Sequence, residues 1–116
     1  LNPSKISTVD YSGPGYTHQG FLTDDHRYFF LGDELDELKF GLKTQTRIFD
    51  FSSLKKPNLH SKYFSNFDAI DHNGYIVGEY FFLANYSAGL RVIDMQVENV
   101  SLYTKINRND MILLVC

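Results

Sequence analysis

Two histidines hold matching places in an internal repeat, and their residue type suits chemistry near neutral pH. His18 lies in Thr17-His18-Gln19-Gly20-Phe21-Leu22, and His72 lies in Asp71-His72-Asn73-Gly74-Tyr75-Ile76. Imidazoles titrate near neutrality and ligate borderline metals, so several at one channel mouth could serve metal binding or acid–base work. Gln19 and Asn73 follow them and add amides, which makes His18, Gln19, His72 and Asn73 the candidate ligand residues at that mouth. The plainer expectation is that each histidine makes a hydrogen bond within its own unit. A catalytic group is needed once, whereas a scaffold group is needed in every copy.

A second candidate set is not repeated. Asp33, Glu34, Asp36 and Glu37 fall together, and Asp24-Asp25-His26 forms a charged turn nearby. Hard cations such as calcium take about six to eight oxygens, and clustered carboxylates on a loop could supply several. The spacing is not that of an EF-hand, so the four acids are candidate metal ligands set against a solvated acidic loop. A long, unrepeated loop on a repeat scaffold is where function is expected first. Arg47 and Asp50 recur as Arg91 and Asp94, and these four read as structural. Residues three apart on a strand lie on opposite faces, so each Arg should not pair with its own Asp. Each Asp should instead cap the following turn. Asn85-Tyr86-Ser87 and Asn99-Val100-Ser101 match the N-glycosylation pattern. A phosphate-cradling glycine loop, a Cys/His zinc set and a nucleophile elbow are not seen in the sequence.

The elements that must position these residues come from the repeat itself. The first pair of segments is offset by 54 (18 to 72), the second by 52 (Tyr28-Phe29-Phe30-Leu31 to Tyr80-Phe81-Phe82-Leu83) and the third by 44 (Arg47-Ile48-Phe49-Asp50 to Arg91-Val92-Ile93-Asp94). Length differences confined to the joints mark loops, and the matched segments mark elements. The segments are short, rich in Tyr, Phe, Ile and Val, and bounded by Gly, Asn, Asp or Ser, which predicts strands. Val77-Gly78-Glu79 is a hairpin connection and Ser87-Ala88-Gly89 the next turn. Strands are expected at Lys5–Tyr11, His18–Thr23, Arg27–Gly32, Thr44–Phe51 and Leu59–Phe64, with the second copy running to about Thr104. Asp33–Leu42, with Leu35, Leu38 and Leu42 at helical spacing, is the best short helical candidate within the inserted loop.

The fold expectation is all-β, as antiparallel four-stranded blades forming about two blades of a β-propeller, with first strands facing inward. Residues 1–14 would end a preceding blade, 15–66 form the first blade, 67–105 the second, and 106–116 an atypical tail. Two blades leave apolar faces open, so the remaining blades of a longer parent chain, or self-association, are expected partners. The chain begins without Met and is read as an excised piece. Net charge of -3 gives no basic footprint for nucleic acid. No apolar run approaches the roughly 18 residues of a membrane span. The single cysteine, Cys116, cannot make an internal disulfide.

Tyr16-Thr17-His18-Gln19-Gly20-Phe21-Leu22, Asp24-Asp25-His26-Arg27-Tyr28-Phe29 and Gly32-Asp33-Glu34-Leu35-Asp36-Glu37 resemble the choice-of-anchor B family of surface proteins. Asp71-His72-Asn73, Ala84-Asn85-Tyr86 and Ala88-Gly89-Leu90-Arg91-Val92-Ile93-Asp94 do too, and Leu90–Asp94 is similar to the LVIVD repeat. The resemblance covers roughly Tyr11–Met95, and the chain departs from it after Val97. It implies a β-propeller, an extracellular or cell-surface location and a C-terminal anchor, but no activity. The favoured expectation is a non-enzymatic surface module that binds a protein or small-molecule ligand, without a required cofactor. The alternative is a metal-dependent enzyme, or a calcium site, that uses the histidines and the acidic loop.

Overall fold

The computed structural model describes residues 2–95. In chain order these form β1 (Thr17–Leu22), β2 (Tyr28–Asp33), α1 (Asp36–Phe40), β3 (Gln45–Asp50), β4 (Asn58–Phe64), β5 (Gly74–Val77), β6 (Tyr80–Ala84), a 3-10 turn (Tyr86–Ala88) and β7 (Leu90–Asp94). The strands make two antiparallel meanders, β1-β2-β3-β4 and β5-β6-β7. The fold is therefore all-β apart from short helical turns. The fourth strand expected in the second unit lies outside the described residues, as do the tail and Asn99.

The sequence offsets reappear as strand register. Phe21 faces Phe30 across β1–β2, and Tyr75 faces Phe82 across β5–β6. Phe30 faces Ile48 across β2–β3, and Phe82 faces Val92 across β6–β7. Each residue maps onto its counterpart by the offset of its own segment, so one unit has been built twice. Each unit also keeps a glycine beneath an aromatic ring. A Cβ at Gly20 would come within 2.1 Å of the Phe29 ring, and one at Gly74 within 2.4 Å of the Phe81 ring.

The two sheets share one core. Tyr28, Phe30, Ile48 and Tyr63 of the first pack with Ile76, Phe81, Leu83, Ile93 and Met95 around the second. The Phe30 and Phe81 rings are 5.2 Å apart. Burying a side chain such as Phe81 or Leu83 contributes about 1.5–3 kcal/mol. Phe30 and Phe81 are not equivalent in the repeat, because Phe81 corresponds to Phe29. The units therefore stack head to tail, one face of the first against the opposite face of the second. Side chains alternate between faces along a strand, so Phe29, Leu31 and Phe49 lie on the far face of the first sheet. The N-terminal segment covers that face through Val9 and Tyr11.

Two expectations need correction. Lys5–Tyr11 is not a strand. It meets no ladder partner among the described residues and instead lays Val9 and Tyr11 across the Phe29/Phe49 face. The inserted loop does contain a helix, but the leucine spacing points the wrong way. In α1, Asp36 and Glu37 are buried while Leu38 is 69% exposed. The helix ends at Gly41, whose φ of 64° suits glycine and whose N–H bonds to the Glu37 carbonyl.

Candidate functional site: a histidine–carboxylate mouth

The inner strands β1 and β5 are neighbours across the two sheets. His18 is the second residue of β1 and His72 lies two residues ahead of β5, so the repeated histidines meet. Their ring centroids are 4.5 Å apart with planes inclined by 37°. Glu34 follows β2, and its repeat counterpart, 52 residues on, is Tyr86 after β6. These two also converge. Glu34 Oε2 is 3.4 Å from His18 Nδ1, and Oε1 is 3.8 Å from His72 Nε2. The Tyr86 hydroxyl donates to Glu34 Oε1 at 2.9 Å. That bond to the carboxylate raises the Tyr86 pKa above its ordinary value. Tyr86 also packs edge-on against the His72 ring at 5.3 Å, and Tyr16 stacks on His18 at 5.7 Å. Tyr86 has φ of 37°, uncommon for a non-glycine residue. The 3-10 turn holds it there, with the N–H of Gly89 bonded to the Tyr86 carbonyl.

The mouth is pseudo-symmetric in backbone and asymmetric in chemistry. Each unit supplies a histidine and one residue after its second strand, but only the first unit's is an acid. The side chains of His18, His72 and Glu34 are 26%, 34% and 14% exposed, so the cluster opens to solvent while its carboxylate is shielded. One ligand-type atom from each of the three lies within 4.8 Å of the others, and this is the group among the described residues that could hold a metal ion.

The remaining acids of the loop turn inward. Arg47 Nη1 is 3.0 Å from Asp36 Oδ2, and Nη2 is 3.7 Å from Asp33 Oδ2. Gln45 Nε2 also donates to Asp36. Asp33, Asp36 and Arg47 are essentially inaccessible, and Glu37 nearly so. Asp71 is buried beside them, and neither of its carboxylate oxygens makes a hydrogen bond among the described residues; the same is true of Glu37. Burial first, then the negative charges of Asp71 and Asp36, push the Glu37 carboxyl up to about 8. Burial and then Asp36 push Asp71 up to about 7. Burial also raises Asp36, against the pull of Arg47. Desolvation thus disfavours the charged form of these interior carboxyls, most strongly at Glu37.

Asp33 and Asn85, equivalent by the 52-residue offset, latch the segment ahead of each inner strand. Asp33 accepts from the N–H groups of Gly15, at 2.9 Å, and Tyr16. Asn85 Nδ2 donates to the carbonyls of Ala69 and Ile70 at 3.0 and 2.9 Å. Those two backbone pairs are themselves 54 residues apart, so one job is done twice with opposite polarity. The latches hold the chain just before His18 and His72. Sequence reasoning missed this role, although the second-segment offset already aligned Asp33 with Asn85.

The predicted residues therefore divide. His18 and His72 come together: His18 meets Glu34 of its own unit, and His72 reaches the same carboxylate from the other unit. Of the four acids, Glu34 reaches the histidines, whereas Asp33, Asp36 and Glu37 are buried rather than forming a solvated loop. The Gln19 amide nitrogen is buried without a hydrogen bond among the described residues. It lies with the Asp71 carboxylate over Gly32, where an added Cβ would be 3.5 and 2.7 Å from the two groups. Asn73 is half-buried, and its carbonyl accepts from Ala84 N–H.

Arg47 and Arg91 are buried, each over an aromatic ring, Tyr11 at 4.4 Å and Phe67 at 4.5 Å. Arg91 also donates to Tyr63 and to Ser65, a serine the sequence did not single out. Asp50 caps its turn by accepting from Ser52 N–H at 2.8 Å, as expected, and that hydrogen bonding lowers its pKa. Asp94 is exposed. Asn85 is buried with its amide engaged, so it does not present a glycosylation acceptor.

Comparison of the chain with protein-family models, curated proteins and solved structures returned no match. No helix among the described residues is long and apolar enough to cross a membrane.

Proposed function

We propose that this chain is a non-enzymatic interaction module from an extracellular or cell-surface β-propeller, and that its ligand surface is the mouth between β1 and β5. The observation that carries this reading is the head-to-tail stacking of two units in identical register. It places a half-exposed cluster of Tyr16, His18, Glu34, His72 and Tyr86 at one end of a rigid scaffold. Function on repeat scaffolds collects where unrepeated side chains meet a shared edge. The family resemblance supports the surface location and the propeller. A glycan and peptide array probed with the chain and with Tyr16→Ala/Tyr86→Ala tests it. The parent should retain features that the double variant loses, and identical profiles would contradict a ligand surface there.

Convergence of two imidazoles and one carboxylate favours a second reading, a metal-dependent hydrolase, because this ligand set also serves catalytic zinc. Turnover of p-nitrophenyl acetate or phosphate with zinc present, lost in Glu34→Gln, would replace the first reading with the second.

A further inference from the structure

The geometry points to a transition-metal site of the zinc class, formed by His18 Nδ1, His72 Nε2 and Glu34 and completed by solvent or a ligand atom. It rests on the positions of three side chains and holds whether or not the mouth also takes a partner. Tetrahedral zinc with bonds of about 2.0–2.2 Å sets its donors roughly 3.3–3.6 Å apart. The 3.4 Å from His18 Nδ1 to Glu34 Oε2 already meets that spacing, whereas the 3.8 Å from His72 Nε2 runs to the other carboxylate oxygen, Oε1. The donor set lies within 4.8 Å overall, so side-chain rotations of about an ångström would close it. Two nitrogens and one carboxylate suit zinc, nickel or cobalt(II); calcium wants an all-oxygen shell, which this mouth does not offer.

The surroundings favour a metal over a simple histidine–carboxylate contact. Imidazole rings 4.5 Å apart would repel if both were charged, whereas a shared cation uses both as neutral donors. Tyr86 donates to the same Glu34 oxygen that faces His72, and an outer hydrogen bond of this kind orients a ligating carboxylate. The donors come from both units, so the metal would also clamp the two sheets together at their inner edge.

The test is titration of the 116-residue chain, carrying Cys116→Ser to remove the thiol, with zinc chloride alone by calorimetry and with cobalt(II) by visible absorption. One zinc per chain should bind, and cobalt should give the intense bands of a tetrahedral site. His18→Ala, His72→Ala and Glu34→Gln should each weaken binding by more than the roughly 10–100-fold that loss of an outer-shell partner costs. His26→Ala and His60→Ala should bind as the parent does. Thermal melting of each variant without metal confirms that it is folded. Absence of saturable binding, or binding that survives His72→Ala in a folded variant, would overturn the site.

Discussion

At the residue scale, the side chains that matter were visible in the sequence but their groupings were not. His18 and His72 stand out because they recur, and Glu34 because it sits among acids that do not. Only folding separates Glu34 from the other three: Asp33 at the end of β2 and Asp36 in α1 face Arg47, and Glu37 is buried. Consecutive carboxylates look alike until their faces are known. Glu37 gives a pH prediction. Its carboxyl titrates at about 8 in the fold against about 4.5 in the unfolded chain. The folded state therefore binds the extra proton between those values. Its stabilising contribution is complete below about 4.5 and is lost as pH rises through about 8. Urea unfolding of Glu37→Gln should match the parent near pH 4 and exceed it increasingly up to pH 9. A difference that stays constant with pH would contradict the assignment. Asn85→Ala should cost about 1–3 kcal/mol by denaturant midpoint, because the Ile70 carbonyl loses its Asn85 donor and the Ala69 carbonyl keeps only the Thr44 hydroxyl. A loss under a few tenths would show that the latch contributes little.

At the element scale the sequence was most informative. Six of the seven strands, Thr17–Leu22, Tyr28–Asp33, Gln45–Asp50, Asn58–Phe64, Tyr80–Ala84 and Leu90–Asp94, fall on the segments or runs that the sequence pattern predicts, and β5 begins at the fourth residue of its repeat motif, Gly74. Two aligned copies constrain each other, since an element must suit both. Lys5–Tyr11 had β-type residues and no such second copy, and it has no pairing partner among the described residues. Leucine spacing failed in α1 because buried ionic contacts with Arg47, not apolar burial, decide which side of a five-residue helix turns inward. The glycine–ring pairs are testable at this scale. Gly74→Ala should destabilise by about 1–3 kcal/mol, because the Phe81 ring is held in the core and cannot move aside. Adding Phe81→Leu should recover part of that loss, since the two sites are in contact. Strict additivity of the two effects would contradict the ring-over-glycine account.

At the scale of the whole molecule, head-to-tail stacking leaves an apolar face on the second sheet. Tyr75, Val77 and Tyr80 are 56%, 65% and 47% exposed on its outer side. The matching face of the first sheet, built on Tyr28, Phe30 and Ile48, is the one that receives the second unit. A contact that joins unlike faces can be repeated by another unit or another copy of the chain. Sedimentation velocity should therefore show association that grows with concentration and falls in Tyr75→Lys/Val77→Lys. Equal behaviour of parent and variant would place any association elsewhere. Stacking of the units is what brings repeated histidines from two sheets to a single mouth, and the ring protons report it directly. A nuclear Overhauser spectrum of the chain without metal should show cross-peaks between the imidazoles of His18 and His72, whose centroids lie 4.5 Å apart. His26 and His60 should show none to either. Sharp, assigned His18 and His72 resonances without a mutual cross-peak would contradict the side-by-side placement of the inner strands.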